Sequence, residues 1–466
     1  MSRKTNQNNK LSKLIAEFED AVQSFSPELW EEKSFLKLIS HYENQGSFDR
    51  ALAVADLAIK QYKYRVDFYL QKARLMMINM RFAEALNILN QAFSISPYEI
   101  EVPLLKAKIL TLQGNPEEAL IIIDEVKLIF QNADLHEILL MEAFIQESMK
   151  DFDKMFYTLR EALIINPNNT EALEQIWVSV EFSKKYDESV SLHLNLIDKN
   201  PYSYLAWYNL GHAYSCLGEY KKAIDALEYS FLINSRFEQG YMDCAELALQ
   251  IGQYEKAFQC YSDANDIFGP DTELVAYMAE CLIKLNRHKD AKSMLLKAVH
   301  QDPFNDEIFF YLGECYFSEK NWDKALHYYK ESIEIDEYRE EYHSALAHVY
   351  CEMGNSKKAE THFAKAARCG QEQSQYWAMY IKFLLEKQNF EKAEKIIRRA
   401  DKYSVGTDLT FCKVAYNLLT NNRPAALIDL EEALQEDSSM SKILFEIIPT
   451  LQDDVEIKGM IRYFST

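Results

Sequence analysis

The chain has 466 residues, of which 48% are hydrophobic, and it contains only 12 glycines and 10 prolines. This composition supplies a packed core, excludes an extensively disordered protein and, without any Val/Thr-rich alternating segment, favours helix over strand. With 51 basic and 72 acidic residues the formal charge is −21, which would repel a phosphate backbone and argues against nucleic acid as the main ligand.

Residues 1–31 are predicted to form a disordered basic tail followed by an N-terminal capping helix. Four basic residues stand among Asn and Gln in the first 13 positions, without the apolar stretch of a secretory signal. The capping helix is predicted from Leu11 to Phe25. No window approaches the roughly 18 apolar residues of a membrane span, so we expect a soluble protein.

From residue 32 onwards the sequence repeats with a period of 34 residues. A fixed period of this length is typical of an array of helical repeats. One unit runs from Tyr204 to Phe237, and its first residue defines position 1 of the repeat. Position 20 is a small residue in most units. These residues are Ala51, Ala85, Ala119, Ser189, Ala223, Ala257, Ala291, Ala325, Ala359 and Ala393.

Three further positions mark the turns. Position 15 is glycine in several units, where one helix ends and the chain reverses, and Asn286 and Asn422 can play the same part. Position 17 is mostly aromatic and would pack across that turn. Position 32 is often proline, which separates one helix pair from the next. The glycines are Gly46, Gly114, Gly218, Gly252 and Gly354, and the prolines are Pro97, Pro167, Pro201 and Pro303.

One unit contains a recognisable signature, W-x2-L-G-x2-Y, formed by Trp207, Leu210, Gly211 and Tyr214. Together with the later alanine, aromatic and proline positions, it resembles the tetratricopeptide repeat (TPR). The resemblance covers residues 32–439. It implies an all-α, right-handed superhelical solenoid of about twelve helix-turn-helix repeats, with C-terminal capping helices in residues 440–466.

Two units depart from the pattern, and the two ends of the array need capping helices. Pro103 replaces an aromatic residue and Met155 replaces a small one, so we expect local kinks or wider packing there. No single unit buries its core alone, which means that each needs its neighbour and that terminal units need polar-faced caps. The C-terminal cap is predicted from Asp453 to Phe464.

In TPR proteins the first helix of each repeat lines the concave surface, so the resemblance implies a partner-binding groove there. We expect positions 2, 5, 9 and 12 to face it. Glu246, Glu280 and Glu314 share position 9 and would align as an acidic ladder suited to a basic or amphipathic peptide. The candidate groove residues are Arg74, Lys108, Glu174, Glu181, Tyr208, His212, Glu246, Glu280, Phe310, Glu314 and Phe317.

Other interpretations of these charges stay open. In a chain with 72 acidic residues, a row of glutamates is also explained as a solvated face. The acidic residues at position 2, such as Glu101 and Glu341, are explained by the helix dipole, which favours negative charge in a first helical turn. Arg74 and Lys108 at position 9 predict a basic groove at the amino-terminal end.

These features predict a non-catalytic scaffold or adaptor that binds a protein or peptide. Outside the repeats there is no room for a catalytic domain, and no nucleophile motif, phosphate loop, HExxH or cofactor motif occurs. The eight cysteines lie between Cys216 and Cys412 without CxxC or zinc-ligand spacing, which favours reduced thiols in the cytoplasm. The alternatives are a regulatory subunit of an enzyme on another chain and an RNA-binding helical repeat. The sequence does not decide between monomer and homo-oligomer, or between concave and convex binding faces.

Overall fold

The computed structural model describes residues 12–19, 30–130 and 135–464, and within these ranges every regular element is a helix. The chain divides into two compact units, Met1–Ser235 and Arg236–Thr466. Each unit contains six helix pairs, and within each unit successive helices pack against one another in chain order. The all-α repeat architecture is therefore confirmed, while the right-handed sense of the superhelix stays a prediction.

The helices of the first unit begin with α1, described over residues 12–19. The six pairs that follow are α2 (Glu32–Asn44) and α3 (Phe48–Gln61), α4 (Val66–Ile78) and α5 (Phe82–Ile95), α6 (Glu101–Leu112) and α7 (Pro116–Ile129), α8 (Leu135–Ser148) and α9 (Phe152–Ile165), α10 (Thr170–Ser183) and α11 (Tyr186–Lys199), and α12 (Tyr204–Cys216) and α13 (Tyr220–Ile233).

The second unit has the same organisation and ends in shorter helices. Its pairs are α14 (Glu238–Gln250) and α15 (Tyr254–Phe268), α16 (Thr272–Lys284) and α17 (His288–Ala298), α18 (Asp306–Ser318) and α19 (Trp322–Ile335), α20 (Glu340–Glu352) and α21 (Ser356–Cys369), α22 (Ser374–Glu386) and α23 (Phe390–Ala400), and α24 (Thr407–Leu419) and α25 (Arg423–Asp437). After them come a 3-10 helix (Ser438–Ser441), α26 (Lys442–Ile447), a second 3-10 helix (Pro449–Asp453) and α27 (Val455–Phe464).

Each turn inside a pair is built on one residue in the left-handed region. Position 15 has φ between 56° and 85° in all twelve repeats, although only five of these residues are glycine. In the last repeat this residue is Asn421, with φ 62°, whereas the predicted Asn422 is the N-cap of α25. The other residues, such as Lys320, adopt a backbone that costs about 1–2 kcal/mol, so packing of the pair must hold them there.

The two helices of a pair approach closely because facing side chains are small. Position 20 is at most 1% exposed in every repeat. It faces position 8 of the first helix, where a Cβ added to Gly211 would lie 2.7 Å from Leu227 Cγ. Such a distance is shorter than an ordinary carbon contact, so a side chain at Gly211 would require Leu227 to move.

The two units that depart from the sequence pattern are not the irregular ones. Pro103 lies in the first turn of α6, where its missing N–H is not needed, and Met155 is fully buried in α9. Both helices are continuous through these residues. Wider packing occurs instead in the fifth repeat, where Trp177 occupies position 8. There α10 and α11 touch each other little, and α10 packs mainly on α9.

Both ends of the described chain carry additional helices. In α1, Phe18 is buried and its ring lies 5.9 Å from that of Trp30. The predicted basic tail before residue 12 and the second half of the predicted capping helix lie outside the described residues. At the other end, Arg423 bonds Asp454 at 2.8 Å and Glu456 at 2.7 Å, which fixes α27 on α25. No helix in the described ranges is both long and apolar enough to cross a bilayer.

The close helix approach gives a stability prediction. A Cβ at Gly313 would overlap the Tyr329 ring, so we expect Gly313→Ala to destabilise the protein by about 1–3 kcal/mol despite the better helix propensity of alanine. Gly459→Ala in α27, where an added Cβ meets nothing within 4 Å, should instead stabilise it by up to about 1 kcal/mol. Urea unfolding followed by circular dichroism measures both, and equal effects would contradict the close approach.

Candidate functional site

Two grooves lie along the first helices of the pairs, which are the even-numbered helices. Groove 1, in the first unit, has a volume of about 520 Å³, and groove 2, in the second unit, about 380 Å³. Groove 1 is lined by Glu43, Arg74, Met77, Ile78, Glu101, Leu104, Leu105, Lys108, Glu137, Leu140, Met141, Phe144, Glu171 and Gln175. Groove 2 is lined by Glu280, Ile283, Lys284, Phe310, Tyr311, Glu314, Glu341, Ser344, Ala345, His348, Gln375, Tyr376 and Met379.

The stripe that faces the grooves contains the predicted positions and is wider than predicted. Most lining residues fall at positions 2, 5, 9 and 12, and most of the others fall at position 6, on the same side of the helix. Position 12 contributes Glu43, Met77 and Ile283, but neither Glu181 nor Phe317. The Phe317 ring packs on Trp322 at 5.1 Å instead. The acidic residues at position 2 do line the grooves, so the helix dipole is not the whole explanation for them.

The amino-terminal candidates do not make a basic groove. Arg74 forms an ion pair with Glu101, with 2.6 Å between nitrogen and oxygen. The Lys108 ammonium lies 5.7 Å from the centre of the Phe144 ring. Four carboxylates line the same groove as these two cations, so its charge is mixed and slightly negative. Besides Glu101 they are Glu43, Glu137 and Glu171.

The remaining candidates of the first unit lie apart from groove 1. Tyr208 and His212 are half-buried, and their rings meet edge to face at 4.5 Å. The His212 ring also lies 5.0 Å from that of Trp177. Glu174 and Glu181 are exposed on α10. None of these four side chains lines the groove that Arg74 and Lys108 enter.

The predicted acidic ladder is not uniform. Glu246 is exposed and does not line groove 2. Glu280 lies near the Tyr311 hydroxyl, whose pKa is raised by burial and, to a smaller extent, by this carboxylate. Glu314 is more enclosed and accepts a hydrogen bond from the Tyr329 hydroxyl. Burial raises the pKa of Glu314, although this bond and Lys284 oppose the rise. Only two of the three carboxylates therefore meet in one groove.

A carboxylate that was not among the candidate groove residues completes groove 2. Glu341 is open to water, yet protein surrounds it on most sides, and this poor hydration raises its pKa. Glu280 and Glu307 add to the rise, while Arg339 opposes it. Arg339 is itself bonded to Glu307 at 2.7 Å, so it does not neutralise the groove. Position 2 of the tenth repeat was the available signal for Glu341.

Aromatic rings form the other wall of groove 2. The Phe310 ring lies 4.9 Å from that of Tyr342, and Tyr311 and Tyr376 lie beside it in the groove. Met379 accepts a weak hydrogen bond from the Ser344 hydroxyl at 3.3 Å. This surface can hold a side chain by charge and ring contact. Within the described ranges, groove 2 included, no group of three His, Cys, Asp or Glu side chains is placed to hold a metal ion.

Comparison with known proteins agrees with the repeat pattern. Three family models described as tetratricopeptide repeat match residues 79–140 and 248–309, 307–338, and 194–225. No curated protein matches the chain.

Solved structures that resemble this one share little sequence with it. One is the yeast Tom70 structure, at 12% identity, covering 89% of this chain and 99% of that one, with a TM-score of 0.40. The structure of the APC/C hetero-tetramer Cut9-Hcn1 is similar at 12% identity. The match covers 87% of this chain and 97% of that one, with a TM-score of 0.38. A tetratricopeptide repeat protein from Parabacteroides merdae is 14% identical, covers 53% and 98%, and has a TM-score of 0.40.

The environment of Glu314 gives a pH prediction. Because its pKa is raised above 4.5 in the folded protein, the protonated form favours folding, and this contribution is lost as the pH rises through the folded pKa. Glu314→Gln keeps an acceptor for Tyr329 without the charge. We subtract the unfolding free energy of the wild type from that of Glu314→Gln, and we expect this difference to increase from about pH 4 to about pH 7.5.

Urea unfolding at both pH values measures this change. Glu334→Gln on α19, where the side chain is exposed, is the matched control and should show a smaller pH dependence. A difference between Glu314→Gln and the wild type that does not vary with pH would contradict the account.

Proposed function

We propose that this chain, which belongs to the tetratricopeptide-repeat family, is a non-catalytic scaffold that holds a basic segment of a partner protein in groove 2. The repeat fold in general serves protein–protein interaction. The partner's character and the choice of groove are our inference from the residues that line it.

The observation that carries the proposal is the placement of Glu280 and Glu341 beside Tyr311 and Tyr376. Carboxylates accept charge-assisted hydrogen bonds from lysine or arginine, and aromatic faces attract the same cations. Poor hydration of Glu341 strengthens its attraction to a cation. A basic side chain would therefore find both kinds of partner within one groove.

The groove is open, so its occupant would be a flexible segment rather than an enclosed small molecule. An extended peptide laid across α16, α18, α20 and α22 would reach lining residues on all four helices. Electrostatic attraction would speed its association and make binding sensitive to salt. A cytoplasmic adaptor fits the eight free thiols, which belong in a reducing compartment.

If the partner is an enzyme, this chain would be its regulatory subunit, and the proposal is otherwise unchanged. In that case the basic segment would belong to the catalytic chain, and groove 2 would hold it in the same way. Identification of the captured protein distinguishes the two.

We expect Glu280→Gln/Glu341→Gln to weaken capture of the partner about tenfold or more, because both carboxylates lose their charge. The measurement is affinity capture from native lysate at low and moderate salt, followed by a dissociation constant for the captured protein. Capture by the wild type should also fall as salt rises.

The matched control is Glu255→Gln/Glu334→Gln, which makes the same change in net charge at exposed positions on the second helices α15 and α19. Its capture should equal that of the wild type. Undiminished capture by the groove 2 variant would rule out this groove as the docking site.

A further inference from the structure

Groove 1 has a different surface from groove 2 and is not used by the proposed function. Its base is apolar, formed by Leu140, Met141 and Phe144 of α8 with Leu104 of α6. At one end, Ile78 of α4 is 47% exposed. Leu104 is buried, whereas Leu140, Met141 and Phe144 are partly exposed in the groove. Exposed apolar side chains grouped in one groove are typical of a site that a partner covers.

The rim of groove 1 carries unbalanced charge. Glu101 is neutralised by Arg74. Glu43, Glu137 and Glu171 form no ion pair within the described parts of the chain, and the lysine on this surface, Lys108, is over the Phe144 ring. Glu171 accepts a hydrogen bond from the Gln175 amide at 3.3 Å, but this bond does not neutralise its charge. The rim therefore has more carboxylates without an ion pair than cations without one, and its complement is a segment that combines apolar and basic side chains.

We propose that groove 1 binds an amphipathic α-helix of a partner protein, with leucine-like residues on the apolar base and lysine or arginine reaching the rim carboxylates. Adjacent packed helices lie about 8–10 Å apart. Residues seven apart in a helix are separated by roughly 10 Å. Apolar residues at that spacing would thus meet α4, α6 and α8 in turn. The flexible side chains of Met77 and Met141 can adapt to such a surface.

The probes are labelled synthetic peptides of about 18 residues, long enough for five helical turns. The first is a basic amphipathic helix of Leu, Lys and Ala. The second has the same composition in an order that destroys the apolar stripe, the third carries a central proline that prevents helix formation, and the fourth replaces Lys by Glu. Fluorescence anisotropy with the full chain measures their affinities. We expect the first to bind about tenfold more tightly than each of the others.

Two groove variants test the location. Ile78→Asp should weaken binding of the basic helix about tenfold although it adds a negative charge, because it disrupts the apolar base. Leu128→Asp makes the same charge change on the second helix α7, where Leu128 is 73% exposed, and should bind like the wild type. Glu137→Lys/Glu171→Lys should weaken the basic helix and strengthen the acidic one.

Three results would overturn the proposal. These are unchanged binding by Ile78→Asp, an equal loss in Leu128→Asp, and equally tight binding of the proline-containing peptide, which would indicate an extended occupant. Glu280→Gln/Glu341→Gln should bind the basic helix like the wild type, and a loss there would place the helix in groove 2 instead. Failure of the groove 2 proposal in the capture experiment leaves these results unaffected.

Discussion

The close approach of the two helices in each pair is the constraint on which the rest of the structure depends. Small side chains at position 20, such as Ala223, and at position 8, such as Gly211, remove the space that would otherwise separate the helices. When the two helices of a pair are held together in this way, the first helix of one repeat packs on the first helix of the next repeat. The same repeat positions then face the same side of each unit. Both grooves follow from this regularity, since the same few repeat positions on successive first helices form their linings.

The sequence predicts the fold well because the period is a packing requirement. The residue at position 20, such as Ala325, is small in eleven of the twelve repeats, with Met155 as the exception, so the 34-residue spacing survives even where other positions vary. The groove was harder to predict. Besides the predicted positions, the lining includes Tyr311 at position 6 and Lys284 at position 13, and it leaves out Phe317 at position 12. A period alone does not determine how wide the exposed stripe of a helix is.

Pairing between side chains could not be read from the sequence. Arg74 stands at a groove position, but Glu101 from the next repeat neutralises it. Glu314 stands in register with Glu246 and Glu280, but Tyr329 from the second helix of its own pair engages it. Trp177 likewise opens the fifth repeat although its neighbours follow the pattern. Each outcome depends on distances across helices, which a one-dimensional pattern does not contain.

The central claim is that the first helices of the pairs, not the second ones, hold the partner. Hydrogen–deuterium exchange of the full chain, with and without the captured basic partner, tests it most directly, because a bound segment slows local opening of the helices beneath it. The account predicts slower exchange in α16, α18, α20 and α22, with α17, α19 and α21 unchanged. Protection confined to the second helices would contradict it.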